Sequence, residues 1–305
     1  MKQVVTPKQV ALAIGVSEAS LKRWCDKGLL PASRTAGGHR RLPISGVFAF
    51  LRSSGHQIVR PDVLGLPSTT GQGEATVDRS RTRLQEALEK GDEEQVVRII
   101  FGLYLAGHSV CDICDKVLAV NFRDIGHHWE SGGVQVYQER RSCEIVNRVL
   151  YQLRAALAPP AANAPKAIGA TLEHDPYTLA THMVAVTLRE AGWSAESYGT
   201  GNPAETLCRA ITEVRPRLFW LSVSSFRSEE EFIRDCRQLY ETAQSTGTAL
   251  VLGGRALNDT VRHQIQYSAY CDNLAHLLAF IRTLNIKLGV PEKPADLQDY
   301  VPPGE

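Results

Sequence analysis

Residues 167–284 alternate short apolar segments with helical patterns, and this alternation constrains the fold more than any other feature. The predicted strands cover 167–172, 194–198, 218–223, 249–252 and 268–271, and the predicted helices cover 179–191, 203–214, 229–245, 257–266 and 274–284. Five βα units of this size predict a doubly wound, parallel, five-stranded, flavodoxin-like domain over residues 166–286. Ligands of such sheets bind at the carboxyl ends of the strands, near the point where the strand order reverses.

The loops expected at those strand ends are rich in glycine and serine. Glycines stand at 199, 201, 253 and 254, and serines stand at 222, 224 and 225. Glycines without side chains let a flat or bulky ligand approach the backbone, and the serine hydroxyls can bind it. The alternative is that these residues are present only because such loops must turn sharply.

Residues 79–157 show an almost uninterrupted helical pattern. Four amphipathic helices with short turns, the last covering 134–157, predict an up-down bundle. Cys111 and Cys114 form a CxxC pair within it, but no second pair of ligands stands nearby. We therefore interpret them as buried helix cysteines rather than a zinc site.

Proline- and glycine-rich segments separate these blocks. Residues 57–78 have no hydrophobic period and predict a flexible tether, and residues 158–165 predict a second linker. The acidic, proline-containing residues 287–305 predict a tail without fixed structure.

The first 56 residues predict a helix-turn-helix domain. Thr6 can cap a helix that begins at Pro7, and Gln9 stands where the partner of a capping box belongs. Gly15 ends this helix, and Ser17 caps the next one. A third helix is expected over residues 44–51. The fold class is thus a winged helix-turn-helix, a four-helix bundle and an α/β domain in one multidomain chain.

The charge of the chain is divided unevenly. Its net charge is +1, but residues 1–60 carry +8 and the remainder carries −7. A basic head on an acidic body indicates a module that binds a polyanion, and the preceding helix-turn-helix pattern favours double-stranded DNA. Paired glycines at 37 and 38 predict a wing tip. The residues expected to contact DNA are Ser17, Ser20, Lys22, Arg23, Arg34, Thr35, His39, Arg40 and Arg41.

Other function classes are disfavoured by what the sequence contains. It has no run of eighteen apolar residues and no signal-peptide pattern, and its seven cysteines are an odd number. We therefore expect a reduced, cytoplasmic chain without a membrane segment. No Ser-His-Asp or paired-carboxylate motif indicates independent catalysis, so we do not expect an enzyme.

The stretch VTPKQVALAIGVSEASLKRWCDKGLLPASRTAGGHRRL resembles the MerR family of transcriptional regulators. The similarity extends over about fifty residues and is greatest to the branch whose short wing contains GGHRR. It implies sequence-specific binding to operator DNA, usually as a dimer or higher oligomer on repeated half-sites.

The order bundle, linker and α/β domain over residues 80–285 resembles the cobalamin-binding domain of methionine-synthase type. Joined to a MerR head, it resembles the CarH/LitR group of light-responsive repressors, in which adenosylcobalamin lies between bundle and sheet and light changes the oligomer. Trp129 and Glu139 stand at the spacing that this group uses to cover the adenosyl side. Ser222, Gly253 and Gly254 match its strand-end motifs.

The sequence departs from that group where cobalt is bound. The group's lower ligand is the histidine of an Asp-x-His-x-x-Gly loop, but here Asp175 is followed by Tyr177, and Ala180 replaces the glycine. Arg140 stands where a histidine would follow Glu139. Imidazole is a good neutral donor to cobalt, whereas a phenol is not. His174, three residues before Tyr177, is a candidate ligand if the loop shifts.

Tyr177 has three interpretations: it fills the space of a lost ligand, it hydrogen-bonds a cobalamin that has no protein ligand, or it ligates haem iron. The first hypothesis for the chain is a repressor that senses cobalamin or another tetrapyrrole, with Ser224 among the ligand contacts. The second is a B12-independent regulator that uses the body for oligomerisation as a dimer or tetramer or for binding an antirepressor, or one adapted to haem or bilin. A fragment of a corrinoid methyltransferase or mutase ranks last.

Overall fold

The computed structural model describes residues 2–72, 76–130 and 135–286, and the side chains of 125–130 and 285–286 are not part of that description. The head comprises a three-stranded antiparallel sheet and three helices. Its elements in chain order are β1 (Val4–Val5), α1 (Pro7–Ile14), α2 (Glu18–Asp26), β2 (Ser33–Arg34), β3 (Arg40–Pro43) and α3 (Ile44–Ser54).

Local signals define the helix-turn-helix as the sequence predicts. Gln9 donates its backbone N–H to the Thr6 hydroxyl at 3.2 Å, and the Gln9 side chain accepts the Thr6 N–H at 2.9 Å. Gly15 ends α1 in the left-handed conformation (φ 73°), and the Ser17 side chain caps α2. Leu21 of α2 is fully buried.

The segment after α3 is packed against the head, and the expectation of a flexible tether is wrong for residues 56–72. Its chain turns through a short 3₁₀ helix, Pro61–Leu64. Val59 donates its N–H to the carbonyl of Ala13 at 2.8 Å, and Ile58 and Leu64 are buried. Prolines and glycines here set turns, while apolar residues between them bury against α1.

The bundle contains the expected helices, with an irregularity in the third. The elements are α4 (Val77–Lys90), α5 (Glu93–Leu105), α6 (Val110–Ile113), a π-helical turn (Cys114–Leu118), α7 (Ala119–Glu130) and α8 (Val136–Ala156). Cys111 and Cys114 are buried and free, as predicted. Burial raises the pKa of the Cys111 thiol to about 12, so it stays protonated.

The α/β domain has the predicted parallel sheet of five strands in the order β5-β4-β6-β7-β8. Its elements are β4 (Lys166–Ala170), α9 (Leu179–Glu190), β5 (Ser194–Ser197), α10 (Ala204–Val214), β6 (Leu218–Ser222), α11 (Glu229–Thr246), β7 (Ala249–Gly253), α12 (Asp259–Arg262), β8 (Ala269–Tyr270) and α13 (Leu274–Ile286). The strand order reverses between β4 and β6, which is where ligands of this fold class bind. Of the predicted helices, 257–266 is reduced to the single turn of α12.

Carboxylates cap helices across the junction between bundle and sheet. Asp115, in the π-helical turn, accepts the backbone N–H groups of Leu274 and Ala275 at 3.0 Å each, at the start of α13. In the other direction, Glu190 at the end of α9 accepts the N–H of Val110 at 2.7 Å. Each domain thus satisfies the first N–H groups of a helix in the other, where a negative charge is favourable.

One hydrophobic core runs through the head, the bundle and one face of the sheet, and a second core covers the other face. Phe48 of α3 meets Phe101 of α5 edge to face, with ring centroids 6.0 Å apart. The three domains therefore form one packed body. No helix in the described part of the chain is both long and apolar enough to cross a bilayer. Residues 287–305, predicted as a tail, lie outside the described residues.

Candidate DNA surface and ligand crevice

Helix α2 presents its predicted DNA-contacting side chains on the surface of the head. Ser17 caps the helix, and its hydroxyl lies 2.9 Å from that of Ser20. Lys22 is exposed and pairs with Glu18 one turn away at 2.9 Å. Arg23 is also exposed, and its guanidinium lies 3.4 Å from the Ser20 hydroxyl. Lys22 and Arg23 are thus free to exchange these weak surface contacts for phosphates.

The wing is the β2–β3 hairpin, and its tip turns at Gly38 with φ 77°. Thr35 stabilises the tip because its hydroxyl accepts the His39 N–H at 3.2 Å. Arg34 and His39 are exposed, while Arg41 is half-buried. Arg40 pairs with Asp26 at 2.5 Å and donates to the carbonyl of Lys22 at 3.1 Å.

Arg40 therefore fixes the wing against α2 within the head. Among the other predicted DNA residues, Ser20 and Arg41 are half-buried and the remaining six are exposed. The assignment of individual DNA contacts stays a prediction for all nine positions. The basic surface itself comprises one face of α2 and the wing beside it.

In the α/β domain, Asp175 joins the loops on the two sides of the strand-order reversal. Its carboxylate accepts the backbone N–H groups of Ser224 at 2.6 Å, Ser225 at 3.3 Å and Tyr177 at 3.2 Å. Burial raises the pKa of the Asp175 carboxyl, and these N–H groups act against that rise. The loop after β4 is thereby fixed to the loop after β6. The Ser225 hydroxyl adds a hydrogen bond of 3.1 Å to the carbonyl of His174.

Tyr177 lies between the bundle and the strand ends, with two guanidinium groups near its ring. Arg140 of α8 is 5.0 Å from the ring centroid, and Arg255 of the loop after β7 is 5.2 Å from it. Tyr177 is half-buried, and both arginines are exposed. Glu139, which directly precedes Arg140, is half-buried in the first turn of α8. The structure thus brings Tyr177 close to Arg140, which the sequence analysis noted only because it stands in place of a histidine.

The paired glycines after β7 have a structural reason beyond ligand access. A Cβ atom at Gly254 would lie 2.1 Å from the carbonyl oxygen of Val223, and its φ is 137°. A Cβ at Gly253 would lie 2.8 Å from the carbonyl oxygen of Cys271. Close approach of neighbouring strand ends therefore requires both glycines. Ser222, also predicted as a ligand contact, is buried at the end of β6.

Beneath the strand ends, Trp220 fills the space between the sheet and α9. A Cβ atom at Gly169 of β4 would lie 2.1 Å from the Trp220 ring, which is almost fully buried. The indole N–H donates to the hydroxyl of Thr181 at 2.9 Å. The Trp220 ring therefore occupies the space beside Gly169 on this face of the sheet.

A polar network crosses from α8 to α9 and was not found from the sequence. His182 lies between Asn147, whose Oδ1 is 3.0 Å from Nδ1, and Tyr151, whose hydroxyl is 3.0 Å from Nε2. Asn147 also donates to the hydroxyl of Thr178 at 2.7 Å. Burial lowers the pKa of His182, and Arg154 lowers it further. The spacing of Asn147 and Tyr151, one helical turn, was the only signal available in the sequence.

The donor set does not fit a cobalt atom held by a histidine of this loop. His174 is exposed, and its backbone is in the left-handed conformation with φ 70°. Tyr177 offers a phenol. Among the described residues, no group of three or more His, Cys, Asp or Glu is placed to hold a metal ion. Trp129 was predicted to cover the ligand; its side chain, like those of His127 and His128, lies outside the described residues.

Comparisons with known proteins agree with the two-part organisation. Residues 4–55 match the family profile described as a helix-turn-helix domain, and residues 80–154 match the profile described as a B12 binding domain. The second match covers the helices of the bundle. The predicted combination of a helix-turn-helix head with a B12 binding domain is thereby confirmed.

Two relatives extend this result. The chain is 31% identical to the transcriptional repressor CarH of Myxococcus xanthus over 161 residues, which are 53% of this chain and 50% of that protein. The chain thus spans about half the length of this curated relative. The monomethylamine corrinoid protein of Methanosarcina barkeri is 17% identical, with a TM-score of 0.57, over 68% of this chain and all of its own. This likeness confirms the predicted fold of the body.

Proposed function

We propose that this chain is a DNA-binding transcriptional repressor whose body binds cobalamin or a related tetrapyrrole and changes the affinity of the head for its operator. The main support is that the helix-turn-helix head and the B12 binding bundle share one hydrophobic core. A change in the packing of the bundle therefore reaches the head without crossing a flexible linker. The similarity to the repressor CarH supports the direction of control.

The ligand site in this proposal is the crevice between α8 and the carboxyl ends of the strands. Tyr177, Asp175 and the loop of Ser224 form its floor, and Glu139 with Arg140 faces it from the bundle. Gly199 and Gly201 leave the neighbouring loop open, because no atom lies within 4 Å of the position of a Cβ at either residue. At the position of the group's ligating histidine, Tyr177 offers a phenol in place of an imidazole. His174, Ser222, Gly253, Gly254 and Trp129 stay predictions as ligand contacts.

The role of the ligand is a thermodynamic one. A ligand that spans bundle and sheet favours the arrangement in which both contact it, and DNA binding changes if the head differs between arrangements. Nothing in this scheme requires catalysis, and we propose that the chain is not an enzyme. We further propose a cytoplasmic homo-oligomer, a dimer or tetramer, with light as an input when the ligand is adenosylcobalamin.

The test is direct. The purified chain is incubated in the dark with adenosylcobalamin, and its absorption spectrum, its molar mass and its affinity for an operator selected from random DNA are measured before and after green light. We expect protein-bound corrinoid absorbance and a ligand-dependent change in mass or DNA affinity. If adenosylcobalamin, haem and biliverdin all leave these quantities unchanged, the sensory function is wrong.

A second candidate is a B12-independent regulator whose body serves for oligomerisation or for binding an antirepressor. It is favoured by the tyrosine at position 177, where the related group has its ligating histidine, and by the Trp220 ring, which fills the space beside Gly169. The Tyr177→His variant separates the candidates. Stronger cobalamin binding by this variant would show that the lost imidazole is the defect, whereas operator binding that ignores every tetrapyrrole in both proteins favours the second candidate.

A further inference from the structure

Two positive charges converge on one aromatic ring at the mouth of the crevice. The Arg140 and Arg255 guanidinium groups lie 5.0 and 5.2 Å from the centre of the Tyr177 ring, although the two residues come from different domains. At such distances an exposed ring attracts a cation only weakly. That attraction positions the two guanidinium groups but does not neutralise them.

Two carboxylates lie near these guanidinium groups: Glu139 directly precedes Arg140, and Arg255 acts to lower the pKa of Asp175. Within the described part of the chain, neither Arg140 nor Arg255 forms an ion pair with a carboxylate. Asp175, the buried acid of the crevice, gives its oxygens to backbone N–H groups. By contrast, exposed arginines such as Arg148 pair with an acidic residue, here Glu93 at 2.8 Å.

The pKa of the Cys143 thiol depends on the charged groups around it. Burial, together with Glu139 and Glu144, raises the pKa of this thiol to about 12, while Arg140 and Arg255 both act to lower it. The two guanidinium groups are therefore close enough to influence one atom below them. Arg140 is the fifth residue of α8, one position beyond its first turn.

We propose that Arg140 and Arg255 bind carboxylate groups of the ligand that lies over Tyr177. This inference rests on the proposed function and specifies its ligand class: a tetrapyrrole that carries free carboxylates, as porphyrins and bilins do. The ring periphery of cobalamin carries neutral amides, which give guanidinium groups weaker partners. Arginine suits this role because its planar fork matches a carboxylate with two parallel hydrogen bonds.

The test compares two ligands with the same ring, one with free carboxylates and one with methyl esters in their place. Mesoporphyrin IX and its dimethyl ester, both free of metal, are titrated into the full-length chain, and binding is followed by absorbance and tryptophan fluorescence. We expect the diacid to bind at least about tenfold more tightly than the ester, because a charge-assisted hydrogen bond is lost with each ester group. Salt should weaken binding of the diacid only.

Variants identify the residues responsible. Arg140→Gln and Arg255→Gln should each weaken diacid binding by about tenfold and leave ester binding unchanged. Arg237→Gln is the matched control, since Arg237 is exposed on α11. Retained thermal unfolding profiles exclude misfolding of the variants.

The outcomes separate this inference from the proposed function. Equal affinity for diacid and ester, or diacid binding that is unaffected by both variants, overturns the carboxylate site while adenosylcobalamin binding would leave the sensory function intact. If mesoporphyrin, haem, biliverdin and adenosylcobalamin all fail to bind, the proposed function fails and the carboxylate site fails with it.

Discussion

The guanidinium group of Arg52 lies 4.0 Å from the centre of the Tyr104 ring and donates a hydrogen bond of 2.6 Å to the carbonyl oxygen of the same residue. It also donates to the carbonyl of His108 at 2.9 Å, and it lies 3.9 Å from the carboxylate of Glu190. One side chain of the DNA-binding head thus contacts the end of α5 in the bundle and the end of α9 beside the sheet. A cation at the end of a helix also suits the helix dipole.

Arg52→Gln should loosen the head from the body. Removing charge-assisted hydrogen bonds to carbonyl groups that are partly buried should lower the free energy of unfolding by about 1–3 kcal/mol. Urea unfolding measures this change, and limited proteolysis should release the head sooner. Arg60→Gln is the control, because Arg60 is exposed and pairs only locally with Asp62. Equal stability of the two variants would show that Arg52 does not join the domains.

Arg34→Gln should weaken DNA binding through lost phosphate contact. Arg34 is exposed on β2 of the wing, so its removal should reduce affinity similarly for all sequences and lower the slope of log affinity against log salt by about 1. Fluorescence anisotropy with a selected duplex over a range of salt measures both. Arg282→Gln, on α13 far along the chain, should change neither. An unchanged slope for Arg34→Gln would remove this residue from the DNA surface.

Arg40→Gln should differ from Arg34→Gln in its effect, because the guanidinium group of Arg40 pairs with Asp26 of the same head. We expect Arg40→Gln to weaken DNA binding because the wing, no longer held against α2, becomes more mobile.

Acidification should weaken the contact between α8 and α9. Burial lowers the pKa of His182 below its usual 6.5, so the folded state prefers the neutral imidazole. The stability from this preference is present above pH 6.5 and is lost as the pH falls through the lowered pKa. Denaturant unfolding at several pH values between 7.5 and 5 should show a smaller loss for His182→Gln than for the unmodified chain.

The control for this prediction is His263→Gln, since His263 is exposed directly after α12. A pH dependence that survives in His182→Gln and disappears in His263→Gln would contradict it. The groups that bear on His182 are Arg154, which lowers its pKa, and Glu144, which raises it.

Gly169→Ala should destabilise the sheet strongly. Its new Cβ would lie 2.1 Å from the Trp220 ring, and the buried indole is tied to Thr181. Overpacking of this kind costs about 1–3 kcal/mol. Adding Trp220→Leu should restore part of the loss, as urea unfolding of the single and double variants would show. Additive effects of the two changes would mean that the two residues do not compete for space.

The sequence predicted those elements whose causes are local. The ends of the five parallel strands were found to within two residues, because buried parallel strands are short apolar runs. The first two helices of the head were found from Thr6, Gln9 and Ser17, which cap them. The packing of residues 56–72 was missed because Val59 and Ala13 meet only in the folded head. No local pattern indicates that contact.

The candidate site was predicted only in part, for a similar reason. Asp175 and Tyr177 stand in a loop whose position follows from the fold. Arg255, however, reaches Tyr177 from a segment far along the chain. His182 is one of several helix residues in the sequence, and its partners on α8 are 35 and 31 residues away. Such pairs depend on how helices pack, which a single sequence does not specify.

The three backbone hydrogen bonds to Asp175 have a consequence for ligand affinity. They hold the loops after β4 and β6 at a fixed separation, so those loops need not be ordered when a ligand arrives. Ordering a mobile loop costs binding free energy, and a site that is already fixed avoids that cost. If the proposed ligand binds there, the crevice would select it by shape and charge, and the bundle above it is the part that a bound ligand would rearrange.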